Sequence, residues 1–147
     1  MDKSYLAAYA AGLFDGDGWI GLHELSKPGR RPVFHFTAGI TMTDLKPLRL
    51  LAAIFGGAIC QPKQRPGRSQ LYQWSMRSHT AEAFFRAVLP WSQVKHARIK
   101  NALRFYLANE RDGSGFRLTR ATVAHRSRVV SADRALTKAA YKRMPKS

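Results

Sequence analysis

Two aspartates set two residues apart, each followed by glycine, are the residues of this sequence best suited to chemistry: Asp15-Gly16-Asp17-Gly18. They follow a stretch in which Tyr5, Leu6, Tyr9 and Leu13 recur at helical spacing, with Ser4 placed to cap it. A helix over 4–14 that stops at this turn leaves both carboxylates at its C-terminal end, where the helix dipole is negative and disfavours them. A divalent cation would compensate, and the flanking glycines expose backbone carbonyls, hard oxygen ligands suited to Mg²⁺. A calcium loop of the EF-hand type beginning at Asp15 is excluded, because it needs glycine at Ile20 and glutamate at Ser26. Taken alone, the four residues are more simply a turn.

The elements around them favour chemistry. Ala8, Gly12 and Gly16 fall four apart and make a stripe of small residues on one helix face. Such a stripe lets two helix backbones approach closely. After the turn, 19–26 and 33–42 read as strands, the second alternating Phe34, Phe36, Ala38 and Ile40 with His35, Thr37, Gly39 and Thr41. Lys27 to Pro32 is a turn with Arg30 and Arg31 at its tip. Asp44 caps a second helix carrying Leu48, Leu51, Ile54 and Phe55 and ended by Gly56-Gly57. Residues 58–65 and 68–77 read as a second hairpin around Pro66-Gly67. Helices over about 79–88, 95–109 and 119–143 complete the chain.

That order implies an α+β fold: a four-stranded antiparallel sheet with helices on one face and a polar, basic face left open. The open set would comprise His23, His35, Thr37, Gln61, Lys63, Arg65 and Gln73, with Arg68 near the second turn. A twisted ribbon bearing such donors can enter a DNA major groove and read base edges. The plain alternative is a solvated sheet face.

The chain has 25 Lys and Arg against 9 Asp and Glu, a net charge of +16, which points to a polyanionic partner. Residues 111–147 hold ten of those cations against Asp112 and Asp133, half the net charge in a quarter of the chain. This basic C-terminal extension is expected to be helical and part of the same domain as the core at 1–110, and to add phosphate contacts. Cys60 is the only cysteine, which excludes an internal disulfide and a multi-cysteine zinc site. The apolar runs are too short to span a bilayer, and Met1-Asp2-Lys3-Ser4 lacks the start of a secretory signal, so a soluble intracellular protein is expected.

Residues Ala10 to Gly18 resemble the LAGLIDADG motif of homing endonucleases, and the element order to about residue 109 is similar to that family's αββαββα core. The segment Ile40 to Asp44, then Leu48 to Gly56, resembles its step from strand to helix. The resemblance implies a homodimer of single-motif chains, packed through the motif helices, that hydrolyses both strands of a long pseudo-palindromic site. It implies Asp17 as the metal ligand, aided by the Gly16 carbonyl, with Mg²⁺ as cofactor; Mn²⁺ can substitute and Ca²⁺ can bind without turnover. It further implies Lys46 and Lys95 as catalytic cations, Trp19 on the DNA-facing sheet, and Ala8, Ala11, Gly12 and Asp15 at the dimer interface. Asp15 is also expected to brace the helix end. The polar residue that commonly ends the family's second strand falls here on Met42, a departure expected to weaken the water network. Members are carried by mobile introns or free-standing mobile genes. No membrane or small-molecule cofactor is expected. A DNA-binding regulator or an RNA maturase on the same fold is the alternative.

Overall fold

The computed structural model describes residues 2–25, 28–29, 33–110 and 120–142. Helix α1 (Lys3–Asp17) leads directly into β1 (Gly18–Leu25). Then come β2 (Val33–Met42), α2 (Leu45–Phe55), β3 (Ala58–Cys60), β4 (Tyr72–Arg77), α3 (Ser78–Val88), α4 (His96–Glu110) and α5 (Arg120–Lys142).

The first helix is longer at both ends than its sequence pattern predicts. Asp2, not Ser4, is the cap: its carboxylate accepts the Ser4 N–H at 3.1 Å. At the other end the helix runs through Asp15-Gly16 to Asp17, and Gly18 closes the last turn with its N–H on the Phe14 carbonyl. Asp44 caps α2 as expected, accepting the Lys46 N–H at 2.9 Å.

All strand pairs are antiparallel, in the order β1-β2-β4-β3. Ile20, Leu22, Phe36, Ala38, Ile40, Trp74 and Met76 point inward and join Phe14, Phe84, Phe85, Ile99 and Phe105 in one core. Trp74 sits at its centre, edge-on to Phe84, and its buried indole N–H donates to the Gly56 carbonyl at 2.8 Å. The fold class is therefore the one read from the sequence.

The second hairpin is not. Only three residues of β3 pair, and 61–71 form a loop. Pro62 and Pro66 bring no N–H to a ladder, and side chains take over. Gln64 Nε2 donates to the Arg68 carbonyl at 2.6 Å, and Gln70 Nε2 to the Leu71 carbonyl at 2.7 Å. The Pro66-Gly67 turn does form: Arg68 N–H bonds to the Arg65 carbonyl, with Gly67 at φ +74°.

The C-terminal helix packs on the core. Asn101 Nδ2 donates to the Val129 carbonyl at 3.0 Å, Ser127 Oγ to Glu24 at 2.8 Å, and Arg98 grips Asp133 from α4. Among the described residues, no helix is long and apolar enough to cross a membrane.

Candidate active site and nucleic-acid interface

The two aspartates of the motif face different surroundings. Asp15 turns into its own chain, where the segment before α4 converges on its carboxylate. Ser92 Oγ donates at 2.6 Å, and the backbone N–H groups of Gln93, Val94 and Lys95 donate at 2.7, 3.1 and 3.0 Å. Lys95 is the first residue to offer its carbonyl to α4, to Ile99 N–H, so its own amide is an orphan donor at the helix start, where an anion is favoured, and the amides of Gln93 and Val94 lie just before it. Burial pushes the Asp15 carboxyl up, but the Ser92 hydroxyl and the three amides outweigh it and hold its pKa below the ordinary value.

Lys95 completes the clasp by donating its ammonium to the Asp15 backbone carbonyl, with Nζ 5.8 Å from the centre of the Phe14 ring. Burial pulls the Lys95 pKa down; Asp15 opposes this, Arg98 adds to it, and Asp17 opposes it. Lys95 thus sits within the field of both motif carboxylates.

Asp17 ends α1 exposed to solvent, beside exposed Gly16. Its carboxylate and the Gly16 carbonyl beside it are hard oxygen donors of the kind Mg²⁺ takes. Among the described residues, no three His, Cys, Asp or Glu side chains group closely enough to hold a metal ion. The donors fit a cation that keeps most of its water and takes further oxygens from outside the chain, which is how Mg²⁺ is commonly held.

Sheet register fixes what lies near this end. Gly18 pairs with Ile40, and Met42 with Tyr72, so the starts of β1 and β4 and the end of β2 share one end of the sheet. The 61–71 loop leaves from that end too. Its Lys63, Arg65 and Arg68 line a shallow pocket of about 300 Å³ on the loop. These cations and Gln61, expected on a strand, are loop residues. Lys46 is exposed in the first turn of α2, just after β2. Met42 shares the inward parity of Ile40 and packs against the core. The outward residue at the end of β2 is therefore Thr41, opposite Gln73.

On the outer face, Trp19 pairs with Gly39, Gly21 with Thr37 and His23 with His35. Trp19 lies across Gly39: a methyl group added there would come within 2.7 Å of the indole. Arg77, opposite Thr37, is exposed on this face and absent from the sequence-based set, though the alternation of Gln73, Ser75 and Arg77 points to it. Arg30 and Arg31 lie outside the described residues.

Of the residues expected at a dimer interface, Gly12 is exposed with nothing within 4 Å of an added methyl, and so is Gly16. Ala8 is partly exposed on the same stripe, beside exposed Tyr5 and Tyr9. Ala11 is only 1% exposed and belongs to the chain's own core, one position round the helix from the open stripe. The Asp15 carboxylate is likewise spent within its own chain. Neither of these two can offer its side chain to a partner.

No protein-family model matches the sequence, and no curated protein matches it. Solved structures do. The chain superposes on the homing endonuclease I-CvuI, solved with its target in the presence of calcium, with a TM-score of 0.71. The two are 16% identical over 91% of this chain and 83% of that one. The archaeal intron-encoded homing endonuclease I-Vdi141I, complexed with DNA, matches with a TM-score of 0.68 at 13% identity, covering 93% of this chain and 85% of the other. The LAGLIDADG homing endonuclease I-SmaMI, bound to cleaved DNA, matches at 0.65 and 16% identity, over 89% of this chain and 43% of the longer one. The chain has the fold of the LAGLIDADG homing endonucleases, and its Ala10–Gly18 segment, which resembles their motif, forms the end of α1 and the first residue of β1.

Proposed function

We propose that the chain is a metal-dependent, site-specific DNA endonuclease acting as a homodimer. The observation that carries this is the pairing of an exposed Asp17 at the end of α1 with a half-buried Lys95 clasped to the same helix end, beside an open sheet face bearing His23, His35, Thr37, Gln73 and Arg77. The structural neighbours solved with DNA, calcium or magnesium support it.

Asp17 and the Gly16 carbonyl would hold a divalent cation against a scissile phosphate. Bound there, Mg²⁺ would acidify a water and offset charge developing on the phosphate. Lys95, partly stripped of water and anchored to the Asp15 carbonyl, would present fixed positive charge to the same phosphate without reorganising. Lys46 would contribute from the first turn of α2. The outer face would read base edges, and the 61–71 loop would place Lys63, Arg65 and Arg68 on the backbone near the cut.

A single Asp17 supplies half of a double-strand cut. The open stripe of Ala8, Gly12 and Gly16 suits close packing against the same helix of a second copy, which would bring a second Asp17 alongside. That this fold spans 43% of the I-SmaMI chain is consistent with two such units per active assembly. The target would then be roughly palindromic.

The test is selection of cleaved sites from a randomised duplex library with Mg²⁺, repeated with Asp17→Asn. The wild-type chain should enrich a two-fold symmetric site that the variant binds and leaves intact. Cleavage at the wild-type rate by Asp17→Asn would sink the assignment, and binding without any cut by the wild type would replace it with a DNA-binding role.

A further inference from the structure

Strand β1 is an edge of the sheet, and α5 lies beside it. Between them runs a groove of about 460 Å³ lined by Ile20, Leu22, His23, Arg98, Asp133, Arg134, Thr137 and Lys138. Its floor is apolar, from Ile20 and Leu22. His23 stands at the rim, exposed, and belongs to the outer sheet face. The groove therefore lies on the helix side of the β1 edge and reaches the face that would meet DNA at His23.

The acidic group in this groove is already neutralised. Arg98 Nε and Nη2 donate to the two oxygens of Asp133 at 2.9 and 3.2 Å, and Nη2 also reaches the Ile20 carbonyl at 3.1 Å. Asp133 is buried, so this two-pronged bond fixes the rotation of α5 against α4 and β1. Arg134 is the next residue and Lys138 one turn further, and both are exposed. Neither of the salt bridges Arg86–Glu82 and Arg98–Asp133 involves Arg134 or Lys138. Two cations are thus held at one wall of an open groove, at i and i+4, by a bond that consumes the local carboxylate.

We propose that this groove carries the phosphate backbone of duplex DNA past the edge of the sheet, with Arg134 and Lys138 each neutralising one phosphate and His23 marking where base reading gives way to backbone contact. It rests on the DNA-binding reading above and extends the footprint onto the C-terminal helix. Charge selects the partner class, and continuity with the sheet face selects duplex DNA within it.

The test measures affinity of the full chain for a random-sequence DNA duplex, and for a single-stranded RNA, across a range of about 50 to 200 mM salt. Arg134→Ala with Lys138→Ala is compared with Lys100→Ala with Arg104→Ala, which removes the same charge from the separate α4–α5 groove. For the first pair, the slope of log affinity against log salt should flatten by about 0.9 per lost phosphate contact, about 1.8 per protomer. The second pair should leave the slope near the wild-type value. The charge-conserving exchange, Arg134→Lys with Lys138→Arg, should also keep the wild-type slope, which separates lost charge from a misfolded helix. An unchanged slope for the first pair, an equal change for both alanine pairs, or a change confined to RNA overturns the proposal. Normal binding with no cleavage would instead count against the endonuclease reading and leave this surface standing.

Discussion

Asp15 and Lys95 hold each other twice: the Asp15 carboxylate accepts the Lys95 backbone N–H, and the Lys95 ammonium returns to the Asp15 backbone carbonyl. Eighty residues separate them, yet together they weld the end of α1 to the start of α4. Asp15 is thereby the residue that positions Lys95.

Replacing Asp15 by alanine would strip four donors of their acceptor at once. One buried charge-assisted bond is worth about 1.5–3 kcal/mol, and exposed members of the set add less. A loss of about 2–4 kcal/mol in chemical denaturation is expected. Asp15→Asn should retain part of this stability, since its amide oxygen still accepts. Loss below about 0.5 kcal/mol for the alanine variant would refute the clasp.

The same carboxylate sets an acid limit. Its folded pKa lies below the ordinary 3.8, so the folded state binds its proton less readily than the unfolded chain. Its contribution is complete above the unfolded value and disappears as pH falls through the lowered folded one. Urea titrations below pH 3.8 should show the wild type converging on Asp15→Asn. Parallel acid limbs for the two proteins would contradict the shift.

Lys95 has the opposite sign. Its pKa is lowered, foremost by burial, so the unfolded chain holds this proton more tightly and the charge costs stability at neutral pH, a cost that fades as pH rises through the depressed value. Lys95→Met should therefore change stability by less than about 1 kcal/mol. Cleavage should nonetheless fall about a hundredfold if the ammonium serves the phosphate. A matched fall in both would make Lys95 a structural residue only.

Gly12→Ala separates the single chain from the assembly. The added methyl meets open space, and alanine favours a helix over glycine by about 0.8–1 kcal/mol. The isolated chain should gain stability while self-association, followed by sedimentation equilibrium, weakens. Unchanged association would place the dimer contact elsewhere than on this stripe.

Asp133→Ala would leave the Arg98 guanidinium without its counter-charge beside the core. Loss of one partner from a buried pair costs about 3–5 kcal/mol, so α5 should detach from β1 and expose itself to protease. Asp133→Ala with Arg98→Met should recover much of that loss.

Period-two alternation is enough to read both sheet faces, because Phe36, Ala38 and Ile40 carry the burial and His35 and Thr37 the exposure. The same parity, carried two residues on, places Met42 inside and Thr41 outside, whereas motif alignment gives Met42 the outward role. The second hairpin is overextended in the sequence reading because a strand over 58–65 takes no account of the amide missing at Pro62. Asp17 is legible from its place in the motif. The partners of Asp15 are not, since Ser92 and the amides of 93–95 meet it only through tertiary packing. Ala11 shows the limit of a motif read as a string: it lies one position from the open stripe, and a turn of about 100° puts it in the core.

No residue intervenes between the end of α1 and the start of β1. Asp17 is the last helical residue, and Gly18 is already paired to Ile40. The carboxylate proposed to cut and the sheet face proposed to read are thus joined with no residue between them. In a dimer joined through α1, the interval between the two nicks would be a dimension of the protein and not of the sequence bound. Targets that differ in their bases, if cut at all, should leave overhangs of one length.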